Sequence, residues 1–466
     1  MNRSLEYEAL LAELADTPRE LKGTVEKALK RERTSQRKRR VFGIRAGSLA
    51  ACFVGFVLLV NLFPPFAAAC GNIPVLRELA KAVSWSPSLS AAVEHEYAQE
   101  IGQSQMENSI TATVEYVIVD RKQVNIFYTL DSDTIEKLDA DYDISLENDL
   151  QGYSSGSGSF GLENGELRQI DVNFVEIDVP SSLTLRLDVY DSTPVWETEA
   201  TVAPAEEIDS RFETPVHDPN YLAEFEFTLE FDPYFTAQGE VISVNETFIL
   251  DGQRFTLTEV ELYPTHLRIN LDDDEENTAW LRSLDLYVEN EHGERFESTI
   301  NGITASGDPD GEGYATFWLD SPFFSQGELL TLHITRAKWL DKEASRVRLD
   351  LKAGTAENLP EGVQFLKAEK HPEGWMVYFV QPRDPNGGMY NLFSSGFWDE
   401  EGNEYEILQN GSSMGIRDPV TGKITEEDTM FTESFPLAGF HGDVVYLEPH
   451  FNRTTDFEPS VFVTIR

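Results

Sequence analysis

The chain has 466 residues and a formal net charge of −45, from 37 Lys and Arg against 82 Asp and Glu. Acidity of that size excludes a nucleic-acid binder acting through the whole chain, which needs a basic face. Two Cys exclude a disulfide framework and a four-Cys zinc site, while 29 Phe, 16 Tyr and 7 Trp exclude disorder over most of the length.

The charge is unevenly divided. Residues 1–45 carry 12 basic and 7 acidic side chains, a net of +5; the remainder carries 25 and 75, a net of −50. Within this basic arm Leu10, Leu14, Leu21, Val25 and Leu29 recur at helical spacing with one break. Thr17, Pro18 and Glu20 form a capping box with proline at the first helical position. The pattern predicts two short helices, Ser4–Ala15 and Pro18–Arg33. Neither covers its own apolar stripe, so the stripe predicts a partner, either a second copy or a cytoplasmic protein. Lipid attraction is the alternative role for the basic end.

Ala46–Phe66 has no charge in 21 residues. As a helix it would cover about 31 Å, the thickness of a hydrocarbon core. Arg37, Lys38, Arg39, Arg40 and Arg45 flank its N-terminal side, and no comparable cluster follows. The positive-inside rule then predicts a single-pass membrane protein with a cytoplasmic arm and residues 67–466 outside. A lipoprotein-like cleavage site before Cys70 competes with a retained transmembrane helix.

Residues 67–104 read as a juxtamembrane helical segment, with helices over Ile73–Ile101 broken at Ser86-Pro87-Ser88. From Ile110 the period changes to two. Ile110, Ala112, Val114, Tyr116 and Ile118 alternate, as do Val124–Leu130, Leu183–Val189 and Phe225–Phe231. Strand–turn–strand units recur at 110–130, 255–271 and 363–380, with Gly-containing acidic turns between other strands. The fold class predicted is mainly β: tandem antiparallel immunoglobulin-like sandwiches at 105–235, 236–353 and 354–466, beyond one transmembrane helix and a short helical arm. The Ser/Gly run at 152–161 reads as a flexible loop.

Three stretches carry a family resemblance: NLFPPFAAACGNIPVL (61–76), ITATVEYVIVDRKQVNIFYTL (110–130) and VNETFILDGQRFTLTEVEL (244–262). The chain resembles, over about 40–260, a Gram-positive family of single-pass membrane proteins that share an external domain of unknown function and are described as anti-sigma-factor-like. The resemblance implies membrane-tethered regulation of an extracytoplasmic-function sigma factor held by the arm. It departs from zinc-binding anti-sigma factors, because residues 1–45 contain no His and no Cys.

No nucleophile elbow, metalloprotease motif, phosphate loop or dinucleotide fingerprint is present. The eight His are scattered, and carboxylates are too abundant for any pair to stand out. The expectation is a non-enzyme with no cofactor, no zinc and no nucleic-acid partner. Asp272–Glu276 and the acidic run at 308–312 read as solvated turns in preference to calcium loops. Two functions remain: a regulator with an external sensing part and a partner-binding arm, or a structural or adhesive surface protein for which the arm is an anchor. The sequence names no external ligand.

Overall fold

The computed structural model describes Leu79 and residues 81–466, apart from 147–151, 159–161, 194–219, 300–303, 308–312, 384–390, 409, 418–423 and 426–428. Leu10, Leu14, Leu21, Val25 and Leu29, the cluster Arg37–Arg40 with Arg45, the segment Ala46–Phe66 and Cys70 lie outside the described residues. Among the described residues no helix is long and apolar enough to cross a membrane, which corrects the predicted architecture containing a transmembrane helix. The helices α1 (Pro87–Glu94) and α2 (Pro233–Thr236) have 8 and 4 residues, far short of the ~20 a span requires.

The mainly β, antiparallel part of the expectation is met. The first sandwich is built from β1 (Gln99–Glu107), β2 (Ile110–Val119), β3 (Gln123–Ser132), β4 (Leu138–Ser145), β5 (Tyr153–Ser157), β6 (Arg168–Phe174), β7 (Ser182–Asp191) and β8 (Tyr221–Glu230). Its sheets run β1-β2-β3-β6-β5 and β4-β7-β8. Val114, Tyr128, Leu185 and Phe227 are among the residues packed between them.

The second sandwich begins with β9 (Glu240–Leu250), β10 (Gln253–Leu262), β11 (Leu267–Asp273) and β12 (Ala279–Asn290). It continues through β13 (Arg295–Glu297), β14 (Ala305–Gly307), β15 (Tyr314–Leu319) and β16 (Leu330–Asp341). The third holds β17 (Val347–Asp350), β18 (Thr355–Glu357), β19 (Gln364–His371), β20 (Gly374–Pro382), β21 (Phe393–Trp398) and β22 (Glu404–Glu406). To these it adds β23 (Gly411–Met414), β24 (Ile416–Arg417), β25 (Ile424–Thr425), β26 (Met430–Ala438) and β27 (Val444–Pro449).

The last strand, β28 (Arg453–Thr464), pairs with β16 and places Val463 and Ile465 in the second core. The third sandwich is therefore an insertion between two strands of the second, which differs from a simple tandem split at residue 354. Arg453 anchors the return by donating to Asp341 at 2.8 Å and by pairing with Asp251. Pairing across such a sequence gap leaves no periodic trace in the chain.

Two further expectations change. Gln99–Ile101 begins β1 instead of ending a helix, and 153–157 is strand β5, paired with β6, instead of a free loop. The alternation along β2 also slips. A bulge between Val114 and Tyr116 shifts the phase by one residue, so Val117 and Val119 join the inner core while Tyr116 and Ile118 face the opposite side.

The long edge of the first sandwich is closed by side chains. Gln99, Gln103, Gln105 and Asn108 donate amide N–H groups to the β8-side carbonyls of Glu230, Thr228, Glu226 and Leu222 at 2.6–3.1 Å. These amides occupy acceptors that an exposed strand would otherwise offer to another chain.

Candidate functional site

Two polar turns meet where the first and second sandwiches join. Asp120 follows β2 and folds its carboxylate back, Oδ1 accepting the N–H groups of Lys122 and Gln123 at 2.9 Å each. Its Oδ2 accepts from the second sandwich: Thr265 N–H at 3.0 Å and Thr265 Oγ1–H at 2.6 Å. Thr265 and His266 sit in the β10–β11 turn, and Arg268 follows on β11.

The partners fix the histidine tautomer. Arg268 Nε–H donates to His266 Nε2 at 3.0 Å, so Nε2 accepts and the proton is on Nδ1. Nδ1–H then donates to Thr265 Oγ1 at 2.8 Å, and the hydroxyl donates its own O–H to Asp120 Oδ2. Burial, with Arg268 and Lys122 nearby, holds His266 well below its usual value and keeps it neutral. The 3.8 Å approach of its ring to Asp120 is therefore no ion pair. Burial pushes the Asp120 carboxyl up, opposed by four hydrogen bonds. Arg268 also donates to the Phe174 carbonyl at 2.9 Å, and its guanidinium lies 5.1 Å over the Trp318 ring. Asp120, His266 and Arg268 are 0%, 1% and 2% exposed, so the chain of hydrogen bonds is shut from solvent.

The helical segment ahead of β1 is wedged against the same junction. Ser86 caps α1 by accepting Leu89 N–H at 3.2 Å, with Pro87 in the first turn. Ser88 Oγ donates to Asp320 Oδ1 at 2.8 Å and accepts Ser321 N–H at 2.7 Å, while Ser321 Oγ donates to the Tyr263 carbonyl. Burial raises Asp320, and the bonds from Ser88 oppose it. Tyr97 OH donates to the Phe235 carbonyl at 2.7 Å, and His95 stacks on Phe324 at 4.7 Å. Leu79, Val83, Leu89 and Ala92 pack onto Ile118 and Phe127, the outward residues of β2 and β3. One short segment is thus bonded to both sandwiches.

A cleft of about 420 Å³ opens beside this wedge, between Trp85 and the β5–β6 edge. Ser157, Gln169 and Asp171 line its sheet side, and Lys81 pairs with Glu166 at 2.8 Å on its rim. A void of about 30 Å³ lies between Trp85, Asn125 and His266, room enough for a water.

None of the residues singled out from sequence takes part, since the arm and the basic cluster are outside the described residues. Asp272–Glu276 ends β11 in a turn where Asp274 accepts Glu276 N–H and faces Arg254. Among the described residues no group of three or more His, Cys, Asp or Glu is placed to hold a metal. Sequence reasoning missed Ser88, Asp120, Thr265, His266, Arg268 and Asp320. The available signal was the pair of strand–turn–strand units at 110–130 and 255–271, whose turns are the ones that interlock.

Two family models match the chain: a domain of unknown function (DUF4179) over residues 36–132 and a family of unknown function (DUF5643) over 239–361. Asp120 lies in the first and Thr265, His266, Arg268 and Asp320 in the second, so the two matched regions meet at the junction. Neither description assigns an anti-sigma role or an immunoglobulin-like fold. No curated protein matches. A crystal structure of a conserved domain protein from Bacillus anthracis matches with a TM-score of 0.39 and 12% identity, over 56% of this chain and 85% of that one.

Proposed function

We propose that the chain is a membrane-anchored regulatory protein of the anti-sigma-factor-like kind. Its acidic β part is the external sensing end, and its basic arm holds an extracytoplasmic-function sigma factor in the cytoplasm. The observation that carries the reading is the charge division, +5 before the uncharged stretch at 46–66 and −50 after it. The junction supports it. The segment that continues from that stretch into the β part is bonded to Asp320 and packed on Phe127, so a change at either sandwich acts on it directly.

The test is a pull-down with the full chain, comparing wild type with Leu21→Asp plus Val25→Asp. Two unpaired charges in an apolar interface cost several kcal/mol on the order of a hot-spot loss. The wild type retains a sigma factor, and the variant releases it while remaining in the membrane fraction. If both retain nothing from cytoplasm, the arm is an anchor and the surface-protein reading replaces this one.

A further inference from the structure

The third sandwich holds a carboxylate at a position that its strand pattern gives to hydrocarbon. Along β26, Phe431, Glu433, Phe435 and Leu437 take alternate buried positions, and Phe435 and Leu437 belong to the hydrophobic core. Glu433 is 1% exposed. Its Oε2 accepts Leu392 N–H at 2.7 Å, and its Oε1 accepts Asn410 Nδ2–H at 2.8 Å. Both donors are neutral, and among the described residues no Lys or Arg pairs with it. Burial pushes the carboxyl up, opposed by these two bonds. A buried charge is ordinarily paired with an opposite one. Glu433 instead borders a cavity of about 260 Å³ whose mouth carries the exposed residue Ser395. That volume lies just below the ~300–1,000 Å³ of typical ligand sites, so the ligand is small.

The other lining residues narrow the ligand class. Phe393 and Phe435 supply aromatic rings and Ile407 an aliphatic one-sided wall. His450, also in the lining, is held below its usual value by burial and by Arg282, so it is neutral and adds no positive charge. Arg282 itself pairs with Glu448 at 2.9 Å. Each Glu433 oxygen keeps lone-pair capacity beyond the one N–H it holds, and Asn410, with its NH₂ turned to Glu433, leaves Oδ1 as an acceptor beside it. An anion would be repelled, and a neutral ligand would leave the buried charge uncompensated. Among the described residues no group of three or more His, Cys, Asp or Glu is placed to hold a metal ion. The two bonds already made engage one oxygen each, which suits a compact ammonium better than a guanidinium fork that needs both oxygens. An ammonium also gains from the faces of aromatic rings. We propose that this cavity binds a small aliphatic primary ammonium ion, with Glu433 as its counter-ion. The inference goes beyond the regulatory reading and rests on neither the arm nor the junction: a cavity that ignores amines leaves the pull-down result unchanged.

The test is calorimetry on the full chain in a non-ionic detergent at about 0.15 M salt, which screens the general attraction of an acidic chain for cations. The probes are n-butylamine and putrescine; the controls are 1-butanol, butyrate, butylguanidine and calcium. The expected result is saturable one-site binding of at least one amine, with none by 1-butanol or butyrate. That binding weakens about tenfold or more in Glu433→Gln, whose amide keeps the size of the side chain and can still bond Leu392 N–H and a turned Asn410 amide. Ser395→Phe, at the exposed mouth, narrows the cavity without touching the carboxylate and should weaken binding as well. Far-UV circular dichroism of both variants should match wild type; if Glu433→Gln fails to fold, Ser395→Phe alone decides. Absence of saturable binding by both amines overturns the proposal. So does wild-type affinity in the folded variants, or tighter binding of 1-butanol, butylguanidine or calcium than of either amine.

Discussion

Replacing Thr265 by Val removes one oxygen from the centre of the junction and keeps the branched shape. The Thr265 hydroxyl donates to a carboxylate that is fully buried, a charge-assisted bond worth about 1.5–3 kcal/mol. The same oxygen accepts His266 Nδ1–H, and leaving that donor without an acceptor costs a further ~1–3 kcal/mol. Thr265 N–H still holds Asp120 Oδ2, so the carboxylate keeps three backbone donors and the loss stays below the full sum. The expected destabilisation is about 3–5 kcal/mol, against ~1 kcal/mol or less for Thr265→Ser, which retains the hydroxyl. Urea unfolding of the full chain followed by tryptophan fluorescence reads it, because Trp318 lies under Arg268 in the same cluster. Asp120→Asn combined with Thr265→Val should be markedly non-additive, since the two side chains share one bond. A Thr265→Val protein within ~0.5 kcal/mol of wild type refutes the junction as a source of stability.

The remaining predictions concern pH and the sandwich edge. His266 is held below the usual ~6.5 when folded, so its contribution is fully present above that pH. It is lost as pH falls from ~6.5 toward the folded value, at up to ~1.4 kcal/mol per unit. Asp120, Asp171 and Asp320 are raised, so acidification relieves their cost and acts in the opposite direction. The wild-type slope minus the His266→Gln slope isolates the histidine, and equal slopes between pH 7 and pH 5 contradict it. At the edge, Gln99→Ala, Gln103→Ala and Gln105→Ala together should cost about 1.5–3 kcal/mol, the low end for exposed amide bonds. The triple variant should also raise light scattering on mild heating, because β8 regains free acceptors.

How far the fold was legible depends on the range of each interaction. Units such as 110–130 and 363–380 are local hairpins, and their alternation and turn residues predict β2–β3 and β19–β20 directly. The return of β28 to β16 joins residues more than 110 positions apart, and Val461–Ile465 looks the same in either sandwich. The bulge at Val114–Tyr116 hides a second core, because a strict period-two reading places Tyr116 and Ile118 on the inner face. The junction was less legible still. Asp120 and Thr265 have the composition of ordinary solvated turns, and only their packing against each other buries them. His266 was passed over as one of eight scattered His, since its partner is Arg268 and not another metal-ligand type.

The central claim is that the helical segment ahead of β1 and the first two sandwiches are locked together through the Asp120–Thr265 and Ser88–Asp320 bonds. Hydrogen exchange on the full chain, wild type against Thr265→Val, tests it most directly. The account predicts that amides of Leu89–Val93, Lys122–Asn125 and Thr265–Arg268 lose protection together in the variant, while β19 and β20 of the third sandwich are unchanged. Loss confined to the Thr265–Arg268 turn, with α1 as protected as in wild type, would contradict it.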